Sequence, residues 1–372
     1  MAYTTIDDPS AHFQTLLYTG NGTDGRALTF DGNSDMQPDL LWVKNRDNTG
    51  PYSGMLFDST RGVNQGLYPD DTAAEGNTAY GYLGAFQSDG FTVTSGSSGD
   101  ERVNNNTDKY VMWAWKANGG TTTTNDASST GVGSIDSVYQ ANTTAGFSIV
   151  TYTGAASGSS AFTIAHGLGA VPKLIIVKNR DSTRSWEVFH GASRGDGAAH
   201  YGLSLDTTDA DNNSDTYWSD TSPTSTVFTV RESDTVNENG DKFVAYCWKD
   251  IQGYSKFGSY KGNGNTDGVF TYTGFKVGWL LVKNASTGTK YWHMWDNKRS
   301  PYNVADRALY PNASDVEDTG LKMDLLSNGF KTRISSSSSA LGNMNTDGDT
   351  YVYAAFAEHP FVSSKGVPAT AV

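Results

Sequence analysis

Apolar positions recur along the chain in short runs with the period of a strand. The clearest are Tyr110-Val111-Met112-Trp113-Ala114-Trp115, Phe243-Val244-Ala245-Tyr246-Cys247-Trp248 and Tyr351-Val352-Tyr353-Ala354-Ala355-Phe356. Side chains alternate across a strand. One face therefore carries Val111/Trp113/Trp115, Val244/Tyr246/Trp248 or Val352/Ala354/Phe356, and the other Tyr110/Met112/Ala114, Phe243/Ala245/Cys247 or Tyr351/Tyr353/Ala355. Both faces are apolar, which predicts a central strand in each case. Cys247 stands where the other copies have Ala114 and Ala355, so it reads as a small buried hydrophobe and not as a nucleophile.

These strands close three copies of one pattern. Each copy holds an apolar run ending in Val-Lys-Asn: Leu40 to Asn45, Leu174 to Asn179, and Trp279 to Asn284. Arg46 and Arg180 follow the first two, whereas Ala285 follows the third. Ahead of each lies a strand and glycine turn, Tyr18-Thr19-Gly20, Tyr152-Thr153-Gly154 and Tyr260-Lys261-Gly262. Behind each comes another apolar strand (Met55 to Asp58, Trp186 to His190, Trp292 to Asp296) and a basic turn with Arg61, Arg194 or Arg299. An Asn-x-Asn turn precedes the closing strand, at Asn104, Asn237 and Asn343, where Asn and Asp favour tight turns by bonding their own backbone.

Helical periodicity is confined to Ala11–Leu17 and Asp318–Leu326, the latter stopping at Asn328-Gly329. Short strands at turn spacing over about 100 residues predict an all-β chain of three tandem antiparallel β-sandwich modules, jelly-roll-like. The boundaries fall at 1–118, 147–252 and 253–372, with a Thr/Ser/Gly-rich linker at 119–146 expected to let the first module swing, and a loose arm from Ser363.

Composition narrows the function. With 37% hydrophobic residues, 12% aromatics and 41 glycines in 372 residues, the chain can build several turn-rich cores. A net charge of -13 makes a phosphate backbone a repelled partner, so nucleic-acid binding is not expected. The lone cysteine rules out an intrachain disulfide. No apolar stretch reaches the roughly 18 residues of a membrane span, and the first residues lack a secretory pattern, so no membrane insertion or export is expected. Six Asn-x-Ser/Thr triplets read as chance in so Asn- and Thr-rich a chain.

Catalytic patterns are weak. Gly191-Ala192-Ser193-Arg194-Gly195 matches a nucleophile elbow, but that motif needs a strand-to-helix turn above a parallel sheet, and the first copy lacks it at Asp58-Ser59-Thr60-Arg61-Gly62. The six histidines show no metal-binding spacing, and His166 reads as a turn residue. Asn263 to Gly268 lacks the first Asp and the bidentate Glu of a calcium loop. The acidic patch Asp206, Asp209, Asp211 and Asp215 offers no better site. No catalytic residue, cofactor or metal is therefore expected. Glu187 is the one glutamate within an aromatic cluster, and paired carboxylates from distant strands leave glycosidase chemistry as an open alternative. Exposed aromatics flanked by Asn and Asp can stack on sugar rings. Trp186, Trp292 and Trp295 are expected to face the core, which leaves Tyr217 and Trp218 as the candidate glycan-binding pair.

The chain resembles virion appendage proteins of tailed bacteriophages of the marine and cyanobacterial kind. The residues that carry the resemblance are Tyr18 to Gly22, Pro38 to Arg46, Asp71 to Glu75, Ser88 to Val93, Ala165 to Gly169 with Pro172, and Tyr351 to Glu358. It implies a non-enzymatic structural role in a virion assembled in the host cytoplasm, as a tail fibre or tail-tip protein in host attachment. The implied partners are further copies in a homo-oligomer, often a trimer, other virion proteins and a host surface glycan. The alternatives are a capsid-decorating protein and a carbohydrate-binding module. No coiled-coil or collagen-like shaft is encoded, which favours a compact part. The candidate virion-attachment segment is Ala2–His12, with Tyr3, Asp7 and His12.

Overall fold

The computed structural model describes residues 2–47, 53–76, 78–97, 102–333 and 344–368. The first sandwich runs β1 (Phe13–Thr19), β2 (Arg26–Leu28), β3 (Leu40–Asn45), β4 (Met55–Asp58), β5 (Tyr82–Gln87), β6 (Gly90–Thr94) and β7 (Lys109–Trp115). Its two antiparallel sheets have the orders β1-β7-β3-β4 and β2-β6-β5. The first strand thus pairs with the last and the second with the penultimate, while β4 hairpins back onto β3.

The second sandwich comprises β8 (Thr123–Asn125), β9 (Ser137–Asn142), β10 (Phe147–Thr153), β11 (Phe162–Ala165), β12 (Leu174–Asn179), β13 (Glu187–His190), β14 (Tyr201–Ser204), β15 (Asn212–Asn213), β16 (Val227–Val230) and β17 (Lys242–Trp248). The third is β18 (Ser255–Lys261), β19 (Phe270–Tyr272), β20 (Phe275–Asn284), β21 (His293–Asp296), β22 (Met323–Leu326), β23 (Gly329–Thr332) and β24 (Thr350–Pro360). The order of the first large sheet recurs as β10-β17-β12-β13 and as β18-β24-β20-β21. The fold is all-β and sandwich-like, as the alternation predicts.

Both apolar faces of each closing strand are buried, but in two different cores. Tyr110, Met112 and Ala114 face the interior of the first sandwich, with Leu41, Val43, Phe57 and Phe91. The equivalent faces of β17 and β24 line the second and third interiors. The other faces meet one another: Val111, Trp113, Trp115, Val244, Tyr246, Trp248, Val352, Ala354 and Phe356 belong to a single cluster shared by all three sandwiches. Trp115 lies at its heart, with ring centroids 6.1 Å from Trp248, 5.4 Å from Trp279 and 5.6 Å from Phe356. Large aromatic rings in edge-to-face contact give such a cluster much of its burial energy.

The polar repeat residues hold each sandwich together. Tyr18, Tyr152 and Tyr260 stack on Tyr110, Phe243 and Tyr351 and donate their hydroxyls to the carbonyls of Val103, Val236 and Met344. Gly20, Gly154 and Gly262 have no room for a side chain, because a Cβ would stand about 2 Å from the carbonyl oxygen of Asn105, Glu238 or Thr346. The Asn of Val-Lys-Asn donates to an aspartate of the last turn: Asn45 to Asp108 (2.8 Å), Asn179 to Asp241 (2.9 Å) and Asn284 to Asp349 (2.8 Å). Asn104 and Asn237 therefore correspond to Asn345, two residues beyond the sequence alignment on Asn343, which lies outside the described residues.

Four expectations change. Ala11–Leu17 is a short 3-10 turn, Pro9–Ala11, followed by β1, and Asp318–Leu326 ends in the β22–β23 hairpin. Neighbouring strands decide both, since a few helical turns gain less than a sheet ladder. The linker is not a swinging tether: β8 and β9 extend the second sandwich's sheet, and Asp39 accepts bonds from the amides of Ala117, Gly119 and Gly120. The arm from Ser363 folds back within 361–368, where the Ser364 amide donates to Asp7 (2.6 Å); residues 369–372 lie outside the description.

Candidate functional site

The distinctive chemistry of the molecule lies in the three seams where one sandwich meets the next. At the end of β4, the Asp58 carboxylate accepts a bond from the Tyr246 hydroxyl of the second sandwich, 2.7 Å. At the end of β21, Asp296 accepts from the Trp113 indole N–H of the first sandwich, 3.0 Å. At the end of β13 stands His190, whose Nε2 lies 3.0 Å from the Tyr353 carbonyl oxygen of the third. The third closing strand has Ala354 where the others have Trp113 and Tyr246. It has no side-chain donor to offer, so a backbone carbonyl takes the contact and the facing residue must donate. The Ala192 amide donates to Nδ1 of His190, which assigns the neutral Nε2–H tautomer.

An arginine follows each of these residues in the next turn. Arg61 Nε donates to Asp58 (2.5 Å), one Nη to the Gln65 carbonyl (2.7 Å) and to Glu75, and the other to Tyr246 (3.2 Å). Glu75 then crosses the seam to Arg180, at 3.0 and 2.6 Å. In the third seam Arg299 binds Asp296 (2.6 Å) and Glu317 (3.3 Å), and Glu317 reaches Arg46 (2.7 Å). In the second, Arg194 pairs with Asp211 (2.7 and 2.6 Å), and the residue across the seam is Ala285. A common backbone bond runs beneath all three: Glu75 N to Arg180 O (2.8 Å), Glu317 N to Arg46 O (3.0 Å) and Asp211 N to Ala285 O (3.0 Å).

Burial sets the electrostatics. The side chains of Arg61 and Arg299 are fully buried, while that of Arg194 is 38% exposed. Burial alone would raise the Glu75 and Glu317 carboxyls, but Arg61 with Arg180, and Arg299 with Arg46, hold both below the usual range. Burial pushes His190 down to about 4, against the Tyr353 carbonyl and Asp250. Lys178 of the Val-Lys-Asn run donates across the first seam to the Thr72 carbonyl (3.0 Å), and Lys44 across the third to Ala313. Burial lowers Lys178 to about 8 and Lys283 to about 7.

The residues singled out in the sequence are placed as follows. Trp186, Trp292 and Trp295 are buried as expected, the first two donating across seams to the carbonyls of Tyr68 (2.8 Å) and Ser204 (2.9 Å). Trp218 is buried too, against the expectation of exposure. It ends the short helix Asp215–Trp218 and lies edge-on to Phe189 within the second core, so its ring offers no platform to a sugar. The polar residues around it belong to the turn and not to the ring. Tyr217 is half-buried, with its hydroxyl 3.3 Å from the Asn212 amide.

The N-terminal segment is docked along the third sandwich. Tyr3 donates to the Gly274 carbonyl (2.7 Å), Thr4 to that of Gln252 (2.8 Å), Asp7 binds Ser364, and His12 packs edge-on to Tyr254. Ser193 donates to Asp211 (2.9 Å), and His166 is enclosed in its turn, receiving the Leu168 amide at 3.2 Å. Glu187 is buried and raised by burial, and Cys247 likewise. Among the described residues, no group of three or more His, Cys, Asp or Glu is placed to hold a metal ion, and no helix is long and apolar enough to cross a membrane. The seam role of the acids Asp58, Glu75, Asp211, Asp296 and Glu317 was not read from the sequence, where Asp211 figured only in an acidic patch. The basic turns with Arg61, Arg194 and Arg299 were their one visible trace.

Three sandwiches, each joined to the next through equivalent strand ends and a common backbone bond, define a cyclic all-β protein made from one chain. Residues 8–360 match a family described as a domain of unknown function, DUF7483, and the chain belongs to it. That match runs from the docked N-terminal segment to the end of β24, so all three sandwiches lie within it. No curated protein and no solved structure matches the chain.

Proposed function

We propose that the chain is a non-enzymatic structural component of a tailed-bacteriophage virion, a tail-fibre or tail-tip protein that takes part in host attachment. The observation that carries this reading is the closed ring of three sandwiches around one aromatic core. Appendages of the kind the sequence resembles are usually homo-oligomers and often trimers, and in this proposal one chain supplies the threefold body that three chains would otherwise build. The partners are then other virion proteins and a host surface glycan, and the N-terminal segment acts in its docked form. Two features support a structural over a catalytic reading. The groups with catalytic potential, Ser193, His190 and His166, are bonded within turns and seams, and the buried charges are spent on holding sandwiches together.

The test is mass spectrometry of gradient-purified particles carrying the gene, with antibody labelling in the electron microscope. Stoichiometric recovery with label at the tail supports the proposal. Label on the head would move the chain to capsid decoration, and absence from the particles would overturn the virion role.

A further inference from the structure

The first and third seams share their charged centres but differ at their outer ends. In the first, Ser59 and Thr60 follow Asp58, and the Gln140 amide of β9 donates to both hydroxyls, at 2.8 and 2.6 Å. In the third, the same places hold Asn297 and Lys298, and a groove opens there. Two adjoining hollows of about 210 and 230 Å³ share Asn297, Lys298 and Glu358. The first lies between sandwiches, with Gln14, Asp31 and Asn33 as its opposite wall; the second continues along the third sandwich past Ser300 to Asn303.

Three features of this groove point to a ligand. Ser300 is 8% exposed and lines the second hollow, yet its Oγ is buried without a hydrogen-bond partner. Such a hydroxyl is costly unless something enters to meet it. Tyr302 stands between Pro301 and Asn303, both of which line the hollow, and is 75% exposed. An exposed aromatic residue thus sits in the segment that borders a polar groove. The lysines within are already paired, Lys298 with Asp31 and Lys276 with Glu358, both at 2.9 Å, while the Asp8 carboxylate is hydrogen-bonded by Ser10 and Ser34 and keeps its negative charge. The wall therefore offers hydrogen-bonding groups with little unpaired charge, which suits a neutral polyhydroxyl ligand better than an anion.

We propose that this groove binds a neutral glycan, a short run of pyranose rings. The Tyr302 ring stacks on a sugar face, and Ser300 Oγ and the Asn297 amide bond its hydroxyls. The inference deepens the attachment reading and rests on it for the source of the glycan.

The test is affinity electrophoresis of the full chain in native gels containing a soluble β-glucan, a galactomannan or a xylan, with alginate as the anionic comparison. The expected result is retardation by at least one neutral polysaccharide and none by alginate. Tyr302→Ala should weaken the apparent affinity about tenfold or more, and Ser300→Ala several-fold, both with unchanged melting temperature. Tyr272→Ala, which removes another exposed ring of the same sandwich, should leave retardation intact. No retardation by any of the three, retardation untouched by both groove variants, or a preference for alginate would each overturn the site. A chain found in particles but not retarded loses the groove proposal alone; a chain retarded but absent from particles loses the virion role alone.

Discussion

The first and second seams join the same pair of surfaces by different chemistry. In the first, a fully buried arginine is enclosed by Asp58, Glu75 and Tyr246, and the network crosses to Arg180. In the second, one histidine meets a carbonyl, a half-exposed arginine stays with its own aspartate, and Ala285 faces them. The backbone bond beneath and the apolar strand faces are common to both. The shared aromatic core and backbone thus set the geometry of joining, while the charged groups follow what the facing strand can offer. Where Ala354 replaces a tyrosine or tryptophan, an acid would have no donor, and a neutral histidine takes its place.

The comparison breaks most sharply at Arg61. Arg61→Ala leaves Asp58 and Glu75 buried without their main counter-charge, and should cost about 3–5 kcal/mol of unfolding free energy in urea titration. A loss below about 1 kcal/mol would mean that the ion network adds little to the first seam.

The second seam should instead be sensitive to mild acid. His190 is neutral when folded, with its pKa pushed down to about 4, and in the unfolded chain it takes its proton near 6.5. Between those values the unfolded chain binds more protons. This group's contribution is therefore complete above about pH 6.5 and is lost as the pH falls toward 4. Glu75 and Glu317, held below the usual carboxylate range, keep their contribution until the pH drops below that of a free carboxyl. Melting curves of wild type and His190→Asn should converge as the pH is lowered from 6.5 to 4, and a constant gap would contradict the assignment.

Smaller effects sharpen the contrast. Arg194→Ala, at the position equivalent to Arg61 but 38% exposed, should cost less than Arg61→Ala, about 2 kcal/mol in the same urea titration, because solvent screens the arginine end although the buried Asp211 loses its counter-charge. Ala285→Arg restores the residue type that the first and third seams carry. Ala285 is fully buried in the shared apolar cluster, so the longer side chain should overpack it and cost about 1 kcal/mol, read as a small downward shift in melting temperature, instead of reproducing the Arg180–Glu75 pair.

Much of the molecule was legible because repeats act as internal controls. The strand alternation, the stacked tyrosines, the glycine turns and the burial of Cys247 all follow from positions that agree in three copies. Trp218 was misjudged because its copies offer no guide: it lies in an insertion of the second sandwich, and its Asp, Asn and Ser neighbours cover the outside of a turn whose inside is apolar. The Asn343 alignment slipped because Asn343 to Asp347 and Asn345 to Asp349 both fit the Asn-x-x-x-Asp spacing of the other copies, and only the bond from Asn284 to Asp349 separates them.

By itself, the sequence determined that the chain is all-β, that its closing strands are apolar on both faces, and that one pattern is used three times, because side-chain alternation and turn chemistry are local. What covers the second apolar face was decided only in the tertiary structure. Trp113, Tyr246 and Ala354 read alike as buried positions along the chain. Their roles as donor, donor and bystander in a closed ring depend on partners between 163 and 188 residues away, a distance at which local pattern carries no information.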